Sequence, residues 1–169
     1  FWRCYFSQMK KLFLYVLLAL MFCGSSFADE LFGIKLGDDV KKYKVEKLRE
    51  YKTGNEFKIK PKNPNKDFEK YIVETTKRDK IYVIRATLKR SFDSEKSCKQ
   101  RLQYYIDIVH ERLKKTKTSL DLAENQKVYL DHNNKVKLHL HALCFKFDDF
   151  FWASIRLSDW IEQQDISKE

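Results

Sequence analysis

Apolar and polar residues alternate over residues 136–144, where Val136, Leu138, Leu140, Ala142 and Cys144 share one face of an extended chain. A period of two is the mark of a half-buried strand. The alternation returns through Ala153, Ile155 and Leu157 after a turn at Asp148-Asp149, and that register sets Cys144 opposite Ala153. Upstream, Val128 and Leu130 precede Asn133-Asn134. A three-residue loop over 133–135 would pair Leu138 with Leu130 and Leu140 with Val128, which keeps the apolar faces together. An earlier hairpin sets Tyr71, Val73 and Thr75 against Tyr82, Ile84, Ala86 and Leu88. A two-residue turn at Arg78-Asp79 would pair Val73 with Ile84 and Tyr71 with Ala86. Phe57 and Ile59 mark a further strand, stopped by Pro61 and the Asn63-Pro64-Asn65 turn.

The period changes over residues 94–115. Cys98, Leu102, Tyr105, Ile106, Val109 and Leu113 trace a single stripe, with Lys, Arg, Gln and Glu opposite. That spacing predicts an amphipathic helix lying on a sheet, capped by Asp93 or Ser94. Near the start, residues 31–37 read as a short extended segment. Asp38 then serves as the expected cap of a helix over 39–43, continuing toward Tyr51. A short C-terminal helix is expected near Trp160 and Ile161. These elements together predict an α+β fold: an antiparallel sheet of about five or six strands, one long amphipathic helix packed on one face, and short terminal helices.

A third pattern precedes all of these. Met9 is followed by Lys10 and Lys11, then by an unbroken apolar run over 12–22, then by Ser26-Phe27-Ala28. This is the tripartite form of a secretory signal peptide, with small residues at the −3 and −1 positions of a cut before Asp29. Translation is expected to start near Met9. Residues 1–28 are then upstream sequence plus the removed leader, and residues 29–169 form a single globular domain. The apolar run is well short of the roughly 20 residues of a membrane span. Leu20-Met21-Phe22-Cys23 offers an alternative, lipid attachment at Cys23, but the bulky Phe22 stands where that signal takes a small residue. The expected product is exported, periplasmic or extracellular, monomeric, and without a transmembrane helix.

Charge adds less than its size suggests. The chain carries a net +10, which becomes +7 once Arg3, Lys10 and Lys11 leave with the leader. Basic residues are spread along the chain with acids between them. Lys outnumbers Arg 26 to 8, and Arg is the better residue for bidentate phosphate contacts. Nucleic acid is therefore not expected as a partner. An envelope protein, a lipid or a cell-wall component is.

Candidate chemistry is sparse. Cys4 and Cys23 lie in the leader, so the mature domain keeps Cys98 and Cys144. Both sit on apolar faces, one on the helix and one on the sheet, and an oxidising compartment would join them. His139 and His141 are two apart on a strand, so their rings project together as a weak candidate metal pair. That register puts His132 and Cys144 on the other face, leaving no obvious third ligand, and no metal or other cofactor is expected. No nucleophile, zincin, phosphate-loop or dinucleotide motif occurs, so no catalytic residue is assigned. Phe150 and Trp152 face away from the helix; either a second layer, the N-terminal helix or the C-terminal tail, covers them or they form a partner surface. The reading is a non-enzymatic binding or interaction module of the envelope. Its alternatives are a metal-handling protein using His139 and His141, or a small hydrolase with an unfamiliar site.

Overall fold

Alternation dominates this molecule more completely than its sequence suggests. The computed structural model describes residues 30–113, 119–123, 126–130 and 136–159. These contain ten strands and a single α-helix. A small ribbon, β1 (Glu30–Leu31) and β2 (Ile34–Lys35), opens the chain, followed by a 3-10 turn over Val40–Lys42. Four strands then run as an antiparallel meander: β3 (Lys44–Tyr51), β4 (Gly54–Lys60), β5 (Phe68–Thr76) and β6 (Ile81–Leu88). Helix α1 (Glu95–Leu113) follows. A second meander completes the fold: β7 (Ser119–Ala123), β8 (Gln126–Leu130), β9 (Val136–Phe147) and β10 (Phe150–Asp159).

The two meanders form one eight-stranded antiparallel sheet, in the order β3-β4-β5-β6-β10-β9-β8-β7. The last strand, β10, docks beside β6 at the centre, so the second meander is laid down from the far edge inward. Helix α1 carries the chain from β6 to that far edge. It crosses the sheet on the way and packs against β9 and β10.

One face of the sheet holds the core. Cys98, Leu102, Tyr105, Ile106, Val109 and Leu113 of α1 are all buried. They meet Leu138, Leu140 and Ala142 of β9 and Ala153, Ile155 and Leu157 of β10. Ser94 caps the helix, its Oγ accepting from the Ser97 amide at 3.3 Å. The other half of the same face is covered by the N-terminal segment. Leu31, Ile34, Leu36 and Val40 are buried there with Ile59, Tyr71, Val73 and Ile81, and Phe32 lies edge-on to Tyr71 at 5.2 Å.

Several expectations are corrected. The fold is mostly β rather than α+β, and its sheet has eight strands rather than five or six. The segment expected as an N-terminal helix makes only the 3-10 turn, capped by Asp39 rather than Asp38. Residues 44–51 become β3 instead, because β4 pairs with them along their length and tertiary pairing overrides a weak local helix preference. The first hairpin keeps the Val73–Ile84 and Tyr71–Ala86 pairs, but a bulge shifts the pairing beyond Glu74. Asp79 takes a left-handed conformation, φ 61°, and closes a loop longer than two residues. In β8, Tyr129 rather than Leu130 pairs with Leu138, and Val128 pairs with His139. A bulge at Tyr129/Leu130 accounts for the change; it turns the larger Tyr129 ring into the core, where its hydroxyl meets Nδ1 of His110 at 3.1 Å. Strand β7 has no counterpart in the sequence reading. The leader, Cys23, the 133–135 loop, His132 and the C-terminal helix near Trp160 all lie outside the described residues.

Candidate functional site

With one face committed to the core, chemistry is left to the other. Alternation along β9 sends His139, His141, Leu143, Phe145 and Phe147 to the face away from α1. The register with β10 sets Ser158, Arg156, Ser154, Trp152 and Phe150 beside them in that order. The same rows continue onto β6 and β5: Ser158 meets Val83 and Glu74, Arg156 meets Arg85 and Ile72, and Ser154 meets Thr87 and Lys70. The face is thus graded along the strands, from acidic and histidine-bearing, through basic, to aromatic.

The aromatic end is open. Leu143 is 40% exposed, Phe145 46%, Phe147 64% and Phe150 47%, with Trp152 half-buried among them. Phe145 lies opposite Trp152, and Phe147 opposite Phe150, so the side chains form a continuous shelf on one hairpin. Asp148, at φ 54°, makes the turn at its tip. An N-terminal layer was one candidate cover for Phe150 and Trp152. Among the described residues that layer lies on the opposite face, against β4 to β6.

The polar end is a half-buried network. Arg85 donates to Oε2 of Glu56 at 3.1 Å, and the Tyr51 hydroxyl donates to the same oxygen at 3.2 Å. The Tyr82 hydroxyl donates to Oε2 of Glu74 at 3.2 Å, and an Arg156 nitrogen lies 3.9 Å from that oxygen. Burial, and then the Glu74 carboxylate, push the Tyr82 hydroxyl up to about 12. His139 and His141 stack with centroids 5.6 Å apart and planes 6° apart. Both are held below the usual histidine range, first by burial; His139 is further lowered by His141 and then Arg156, and His141 by Arg156. Nε2 of His141 shares a hydrogen bond with Gln126 at 3.2 Å. Neutral, stacked imidazoles can ligate a cation, but among the described residues no group of three or more His, Cys, Asp or Glu side chains is placed to hold one.

Cys98 and Cys144 form a disulfide, with Cα atoms 6.1 Å apart, which fastens the first turn of α1 to β9 on the core face. No helix among the described residues is long and apolar enough to cross a membrane.

Comparison of the chain with family models, curated proteins and solved structures finds no match. The site therefore speaks only through its own geometry. Sequence reasoning names Phe150 and Trp152. The structure adds Leu143, Phe145 and Phe147 from the paired strand, and Arg85 and Arg156 beside them. The apolar odd positions of β9 were legible as a second stripe on that strand. The arginines, from strands far apart in sequence, carried no local signal.

Proposed function

We propose that the protein is an exported, non-enzymatic binding module, processed before Asp29, whose working surface is the helix-free face of the sheet. The observation that carries this reading is the aromatic shelf of β9 and β10. Contiguous exposed apolar side chains cost solvation unless something covers them, and such patches mark interaction sites. The core does not need these residues, because α1 and the N-terminal segment already fill the opposite face. The leader pattern supports export, and the Cys98–Cys144 bridge suits an oxidising compartment.

Affinity capture from native envelopes tests the reading, comparing wild type with a Phe145→Ser, Phe147→Ser double variant. Both positions are exposed, so the variant retains the core and the disulfide. Lipids and proteins that co-purify with wild type should be lost from the variant. Identical co-purified material from both would show that the shelf is not the working surface.

A further inference from the structure

The aromatic shelf ends at a group of cations, and that junction points to a ligand class. Arg85 and Arg156 stand directly opposite each other on β6 and β10, with His141 next to Arg156 on β9. Lys70 lies one row nearer the shelf. Like charges facing each other across a ladder destabilise it unless an anion intervenes. Glu56 and Glu74 pair with each other's strands one row further from the shelf, so the partner carboxylates lie on the far side. Glu56 holds Arg85 at 3.1 Å, but the Arg156–Glu74 contact of 3.9 Å is beyond hydrogen-bonding range. Nε of Arg156 is buried with no hydrogen-bond partner among the described residues. Toward the shelf, the intervening row of Lys70, Thr87, Ser154 and Leu143 carries no acid, and its only charge is the Lys70 cation.

We propose that this junction binds a single-chain anionic amphiphile, with its acid group on Arg156 and Arg85 and its hydrocarbon chain along Leu143, Phe145 and Trp152. The proposal rests on the helix-free face being the working surface and adds the chemistry of its ligand. A guanidinium fork matches a carboxylate or a similar planar acid. From Arg156 to Phe150 the strand advances six residues, about 20 Å, which is the scale of a long acyl chain. Asp148 and Asp149 are exposed at the hairpin tip, beyond Phe147 and Phe150. Their carboxylates would be pressed against an anionic bilayer if the hairpin entered one, so a single molecule lying along the strands fits better.

Titration of the purified chain with laurate and with dodecanol, followed by tryptophan emission, separates head-group from tail. Wild type should bind laurate about tenfold more tightly than dodecanol. Arg156→Gln should remove that preference while leaving dodecanol affinity unchanged, and Phe145→Ser should weaken both ligands. Lys70→Gln, at an exposed residue outside the glutamate network, should cost part of the laurate preference and guards against misfolding of the arginine variant. Equal affinity for laurate and dodecanol in wild type overturns the proposal, yet leaves the apolar surface standing if Phe145→Ser still weakens both. Absence of laurate binding alongside shelf-dependent capture from envelopes does the same. Association with phosphatidylglycerol vesicles without binding of monomeric laurate also overturns it, in favour of docking on a bilayer.

Discussion

Gly54 begins β4 where the backbone of β5 comes close. A Cβ there would lie 1.8 Å from the carbonyl oxygen of Thr75, so any side chain must push the two strands apart. Gly54→Ala is expected to destabilise the fold by about 3 kcal/mol or more, measured by urea denaturation; a change near zero would mean that β4 and β5 separate easily. The stacked histidines give a second prediction at this scale. Burial makes both harder to protonate in the folded state than a free imidazole. The unfolded chain therefore takes up protons first as pH falls. Their contribution is complete above the unfolded pKa and is lost progressively below it, as pH drops toward the depressed folded values. Melting temperature should fall between about pH 7.5 and 5.5, and a His139→Gln, His141→Gln variant should flatten that slope. An unchanged slope in the variant would assign the pH dependence to other groups.

Among the elements, α1 is where sequence and structure agree most closely. Its stripe from Cys98 to Leu113 could be read because a single period of 3.6 governs nineteen residues, and Ser94 supplies a cap of the expected type. The disulfide was legible for the same reason: two apolar faces, each placed by its own period, brought Cys98 and Cys144 together. The bridge closes a loop with a sequence separation of 46, worth about 4 kcal/mol on the chain-entropy account. A Cys98→Ala, Cys144→Ala variant should lose stability of that order in denaturant titration. A loss below about 1 kcal/mol would mean that helix packing alone fixes α1 on the sheet. Strand β3 was illegible for the opposite reason. All of its residues are exposed, so burial imposes no period on them, and Val45 and Leu48 fit helical spacing as well as a strand. The β8 register was missed because a bulge inserts a residue without any glycine or proline to signal it.

For the whole molecule, the β5–β6, β8–β9 and β9–β10 hairpins could be inferred locally, but the order of strands in the sheet could not. The contact between β6 and β10 joins residues some seventy positions apart, such as Ile84 and Leu157, and it alone brings Arg85 beside Arg156. The sheet is wider than the expected five or six strands because β3 and β7, its two edges, carried no legible period. That long-range pairing assigns one face to the core and leaves the other graded from charge to aromatic surface. Carbene footprinting of Phe145, Phe147, Phe150 and Trp152, compared between the purified chain and the same chain in its native envelope, tests this account most directly. Strong labelling in the purified chain that falls in the envelope is the predicted result. Protection already present in the purified chain, or labelling unchanged in the envelope, would contradict the claim that this face is the working surface.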